Sequence, residues 1–213
     1  MVITDRRIAG ESRWLEVVGA ALQGGATAIQ LRDKGATSAK LLELALELKR
    51  LTDRHDALFI VNDRLDTALA ADADGVHLGD EDLPVREVRR LVPRDFIIGR
   101  SAHSEDAARL AEADGADYLG VGSVYATTTK PDIAGEAVGT AQLERVVRSV
   151  TIPVLAVGGI AAGDAAEVAS SGAAGLAVVS AVMGAQDPRA AARQLLSEWE
   201  RGEQRASRRA PGP

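Results

Sequence analysis

Cysteine is absent from the 213 residues, which excludes disulfides, thiolate metal ligands and a cysteine nucleophile together. Aromatic side chains make up only 3% against a hydrophobic content of 46%, so a core has to be assembled from Val, Ile, Leu and Ala. No apolar run approaches the roughly 18 residues that span a bilayer. The start, Met1-Val2-Ile3-Thr4-Asp5, lacks the basic and apolar regions of a signal peptide. Positive charge is not in excess either: the formal net charge is −6 at pH 7, which argues against a general nucleic-acid or anionic-membrane surface. These absences predict a soluble, cytoplasmic protein with one sizeable core and any phosphate binding kept local.

Short branched runs alternate with amphipathic stretches, the pattern of βα units around a parallel sheet. Strands are expected near Val2–Thr4, Thr27–Leu31, Leu58–Val61, Gly75–Leu78, Ile97–Arg100, Tyr118–Val121, Val154–Val157 and Leu176–Val179, eight in all. The clearest helix is Ser38–Arg54, where Leu41, Leu44, Ala45, Leu48 and Leu51 share a face and Thr37 or Ser38 can cap the start. Ser104 precedes the acids Glu105 and Asp106, and Asp164 with Glu167 has capping-box spacing. The expected fold is one (β/α)8 TIM barrel over residues 1–199, its lumen filled by layers of branched side chains. Beyond Trp199 the Arg-rich segment Glu200–Pro213 has no apolar face and is expected to be a disordered tail.

Polar residues gather where the strands end, the face on which such barrels build their sites. After the second strand, Gln30 and Arg32 point the same way, and Arg32 with Lys34 can hold a phosphate or diphosphate that Gln30 orients. A surface charge cluster paired with Asp33 is the plainer alternative. After the third strand comes Asn62-Asp63-Arg64, where Asp63 either binds something or caps the next helix. After the fourth, Gly79-Asp80-Glu81-Asp82 supplies three more carboxylates. Oxygen ligands from two adjacent loops suit Mg²⁺ brought in with substrate phosphates, and Asp63 and Asp82 are the chosen ligands, with Asp80 and Glu81 solvated.

Ser101 can hydrogen-bond a polar heterocycle, and His103 is either an acid/base group or an orienting donor. His55 is expected to be exposed, and His77 to pack or hydrogen-bond in the lumen. The segment Thr127-Thr128-Thr129-Lys130 reads as a phosphate clamp that folds over the site, or else as a polar linker. Gly158-Gly159 after the seventh strand, with the backbone of Val179-Ser180 after the eighth, occupies the place where this architecture binds phosphate.

Taken in order, Gln30–Lys34, Val61–Arg64, Gly75–Asp82, Ser101–His103, Thr127–Pro131, Gly158–Ile160 and Val179–Ser180 resemble the thiamine phosphate synthase family from Val2 to about Trp199. The resemblance implies a transferase joining hydroxymethylpyrimidine diphosphate to a thiazole phosphate through a pyrimidine carbocation, with thiamine phosphate and diphosphate as products. It implies Mg²⁺ on Asp63 and Asp82, and diphosphate among Gln30, Arg32, Lys34, Asn62 and Lys130. It also places pyrimidine at Ser101 and thiazole phosphate at Thr127, Thr129, Gly159, Val179 and Ser180. Lys130 and Ser101 then stand at the chemistry, small molecules are the only partners, and a homo-oligomer is left open.

Two features depart from the pattern. Asp80 stands where the family commonly has Gln, and Gly99–Ser104 is close to a phrase of the thiazole tautomerase relatives, which makes an isomerase using His103 the rival. A non-catalytic barrel that binds thiamine phosphate is a third reading. Retention of Asp63, Asp82 and Lys130 favours the synthase over both.

Overall fold

The computed structural model describes residues 1–127 and 137–209. Its eight strands are all parallel and pair strictly in chain order. They are β1 (Val2–Ile3), β2 (Ala28–Leu31), β3 (Leu58–Asn62), β4 (Gly75–Leu78), β5 (Ile97–Ala102), β6 (Tyr118–Gly122), β7 (Val154–Val157) and β8 (Gly175–Ala177). The sheet closes on itself through Val178, whose carbonyl accepts the Ile3 N–H at 2.8 Å and which bridges Val2 in parallel.

Between the strands run α1 (Arg6–Ala9), α2 (Trp14–Gln23), α3 (Ser38–Asp53), α4 (Leu65–Ala70), α5 (Val85–Leu91), α6 (Glu105–Ala113), α7 (Gly139–Ser149), α8 (Ala165–Ala169), α9 (Ser180–Met183) and α10 (Pro188–Arg209). Thr37 accepts the Lys40 N–H to start α3, and Ser104 accepts the Ala107 N–H to start α6. Asp164 does not cap α8 as expected. Its carboxylate instead takes the Ala161 N–H at 2.8 Å, closing the short 3-10 turn Ala162–Asp164, while Glu167 accepts from Thr140.

Alternation along the strands sorts side chains into two compartments. Ile29, Leu31, Phe59, Val61, Val76, Leu78, Ile98 and Leu119 join the helices in one continuous buried core, each fully buried side chain contributing about 1.5–3 kcal/mol. The lumen holds branched residues such as Ile3, Ile60 and Leu155, as expected, but a polar group interrupts their layers. Gln30, His77, Ser101 and Tyr118 meet there in a hydrogen-bonded group, and Gly99 leaves the space that the Tyr118 ring fills. Branched residues remain on the cavity side at Ile3, Leu155 and Val157.

The segment expected to be a tail is helical as far as Arg209. Trp199 is buried at 8% exposure, and Gly202 lies so close to α8 that a Cβ there would collide with the Ala166 carbonyl and sit 2.7 Å from Ala169 Cβ. The contact uses small residues rather than an apolar stripe, which is why the pattern of the sequence concealed it. No helix among the described residues is long and apolar enough to cross a membrane.

Candidate active site

A cavity of about 620 Å³ opens at the C-terminal ends of the strands. Gln30, Arg32, Lys34, Asn62, Asp63, Ser101, Thr127, Gly159, Val179 and Ser180 all line it. Thr129 and Lys130 lie outside the described residues, as does the rest of the expected clamp beyond Thr127.

Asp63 does not cap the following helix, since the N-cap position of α4 is Arg64 and no side chain caps it. Its backbone sits in the left-handed region at φ 65°, a conformation that Asp tolerates better than most residues, and its N–H donates to the His77 carbonyl at 2.8 Å. The Asp82 carboxylate accepts the Gly79 N–H at 2.6 Å. A Cβ placed on Gly79 would lie 3.3 Å from Asp82 Oδ2 and 4.0 Å from Asp63 Oδ1, so the two carboxylates converge over that glycine. Burial, followed by the neighbouring Asp82 charge, pushes the Asp63 carboxyl up to about 6, with Lys34 and Arg32 opposing.

Among the described residues no three His, Asp or Glu side chains surround a common point. The described residues therefore offer no protein-only cage. Two hard oxygen donors beside cations that can hold phosphate do match Mg²⁺, which usually keeps several waters and completes its shell with substrate oxygens.

The first strand supports the second. Thr4 Oγ1 accepts the Arg32 N–H at 3.1 Å. Asp5 caps α1 through the N–H groups of Arg7 and Ile8. Arg6 then pairs with Asp33 at 2.8 Å, both side chains only 16% exposed. Asp33 is thus drawn to Arg6, and Arg32 and Lys34 face the cavity.

Beneath them, the His77 ring spans two hydroxyls, with Nδ1 3.0 Å from the Tyr118 oxygen and Nε2 3.1 Å from Ser101 Oγ. Burial raises the Tyr118 phenol far above its usual value, with the Gln30 side chain partly offsetting it. His77 therefore has the lumen hydrogen bonds expected of it. Tyr118 was not foreseen as part of the site, because an aromatic at the start of a strand is indistinguishable from core in the sequence.

On the opposite wall, Gly158 and Gly159 both have positive φ, 91° and 71°. A Cβ on Gly159 would lie 2.5 Å from the Tyr125 carbonyl oxygen, so only glycine lets the β7 and β6 ends approach. His55 is exposed, as expected. His103 lines the cavity rim, with Nδ1 3.1 Å from the Gly122 carbonyl and Nε2 3.5 Å from Asp80. Asp80 was expected to be merely solvated. It also pairs with Arg100 at 2.9 Å, and Arg100 donates a second hydrogen bond to the Gly79 carbonyl.

The family model described as thiamine monophosphate synthase matches residues 1–182. The chain is 50% identical over 194 residues to the thiamine-phosphate synthase of Pyrococcus furiosus, covering 91% of each. It is 50% identical over 194 residues to the same-named protein of Moorella thermoacetica, covering 91% of this chain and 92% of that one. Among solved structures, the thiamine phosphate pyrophosphorylase from Pyrococcus furiosus superposes with a TM-score of 0.86 at 47% identity over 95% of both chains.

Proposed function

This chain belongs to the thiamine monophosphate synthase family, and from that premise we propose that it joins hydroxymethylpyrimidine diphosphate to a thiazole phosphate, forming thiamine phosphate and releasing diphosphate. The observation that carries this reading is the meeting, in one cavity, of the cations Arg32 and Lys34 with Asp63, while Asp82 converges on Asp63 over Gly79. That is an arrangement for a metal-bound diphosphate. Asp63 and Asp82 are the residues that would hold Mg²⁺, which when bound supplies positive charge to the departing diphosphate.

Gln30, Arg32, Lys34 and Asn62 take the diphosphate oxygens, and Lys130 adds its ammonium from the clamp segment. Ser101, fixed from behind by His77, contacts the pyrimidine. As the carbon–oxygen bond to diphosphate breaks, the electron pair leaves with the oxygen and the aminopyrimidine stabilises the resulting methylene cation. The thiazole nitrogen then donates its lone pair to that carbon. Thr127, Thr129, Gly159 and the backbone of Val179 and Ser180 hold the thiazole phosphate so that the nitrogen stands in line, which removes the entropy of a bimolecular encounter. Excluding water keeps the cation for its proper acceptor.

Incubation of the purified protein with both substrates and Mg²⁺ should give thiamine phosphate and diphosphate in equal amounts. No product at high enzyme concentration would overturn the assignment.

A further inference from the structure

We propose that Arg100 is a positioning residue whose guanidinium, forked across the Gly79 carbonyl and the Asp80 carboxylate, fixes the Gly79–Asp82 turn and so keeps Asp82 facing Asp63. The inference rests on the reading of Asp63 and Asp82 as the metal seat.

Arg100 is paired in register with Leu78, a core residue on the helix side of the sheet, so its side chain leaves β5 away from the lumen. It reaches the turn from behind and does not line the cavity wall. The turn needs such a brace. Its own backbone closure, from the Asp82 N–H to the Gly79 carbonyl, is long at 3.3 Å. The Asp82 carboxylate on this turn faces that of Asp63, both within 4.0 Å of a Cβ placed on Gly79. Like charges at that spacing push the turn outward, and a cation behind it opposes the movement.

The ion pair with Asp80 is half-open to solvent, the carboxylate being 63% exposed, and such pairs contribute little alone. The sheltered contact is the one to the Gly79 carbonyl, made by a side chain only 21% exposed. Gly79 is thereby held from both sides, its carbonyl by Arg100 and its N–H by Asp82. Arg100 thus acts on the metal through the orientation of a ligand, the role in which outer partners typically change metal affinity by 10–100-fold.

The test uses Mn²⁺ as the probe, with the free ion counted by electron paramagnetic resonance during titration of the full-length protein. Arg100→Met should weaken Mn²⁺ binding by about 10-fold. The Mg²⁺ concentration giving half-maximal turnover should rise by the same factor, with kcat at saturating Mg²⁺ unchanged. Arg100→Lys, whose ammonium lacks the rigid planar fork of a guanidinium, should lie between Met and wild type, and it carries the test if the Met variant does not fold. Unchanged Mn²⁺ affinity in these variants, or a fall in kcat that saturating Mg²⁺ does not restore, overturns the proposal. Asp82→Asn separates the positioning role of Arg100 from the metal seat itself. If it loses Mn²⁺ binding while the Arg100 variants do not, only the positioning role falls; if it binds as wild type does, the metal seat and the inference fall together.

Discussion

Asp63 is held in place by its surroundings against two local preferences. Its backbone is left-handed, and its carboxylate is crowded by Asp82. Asn also accepts the left-handed region, so Asp63→Asn keeps the backbone while removing the charge. The variant should lose Mg²⁺-dependent turnover by more than the roughly 10–100-fold typical of outer partners, while its thermal midpoint, measured without metal, is unchanged or higher. A lowered midpoint that leaves the protein unfolded at the assay temperature would point to a folding role instead. Arg6 offers a second residue-level measurement. Arg6→Met frees the Asp33 carboxylate to draw Arg32 or Lys34 out of the cavity. KM for the pyrimidine diphosphate should then rise about 5-fold, the equivalent of roughly 1 kcal/mol, with kcat retained. Asp63 stood out in the sequence, whereas the role of Arg6 did not, because Arg6 and Asp33, like Asp80 and Arg100, meet only when neighbouring elements are folded side by side.

At the scale of elements, the strands were legible where branched runs stand between glycine and acid phrases, and β4 and β7 have the bounds expected of them. Ser101 was expected just past β5 but lies within it, since a polar lumen lets the strand continue with small polar residues. The end of β7 shows what glycine does for the site. Gly159→Ala would force a side chain into positive φ and onto the Tyr125 carbonyl. It should destabilise by about 1–3 kcal/mol and raise KM for the thiazole phosphate more than for the diphosphate substrate, as initial-rate kinetics would report. At the other side of the barrel, Asp5→Ala removes the cap of α1 and should cost about 1 kcal/mol in urea unfolding. Burial raises the Asp5 carboxyl, but hydrogen bonds from Arg7 outweigh this and hold it below its ordinary 3.8. The stabilisation is therefore complete above 3.8 and lost as pH falls through the lower folded value. The gap between wild type and Asp5→Ala should close in strong acid.

For the molecule as a whole, parallel order and closure followed from strand count and one-sided polarity, whereas the final helix did not. Its docking depends on Gly202 against Ala166 and Ala169, and small residues leave no mark in an amphipathic pattern. Gly202→Val should overpack this contact and lower stability by about 1–3 kcal/mol, seen as a drop of several degrees in the thermal midpoint with kcat unchanged. An unaltered midpoint would mean that α10 is not tied to α8 at this point.

The hydrogen bonds from Val178 to β1 also set a timetable for the growing chain. The strand at Val2–Ile3 is synthesised well before its partner near position 178. Until that partner emerges from the ribosome, the unfinished sheet has two open edges capable of pairing with a neighbouring nascent chain. The brevity of β1, two residues long, limits what such a stray partner can grip.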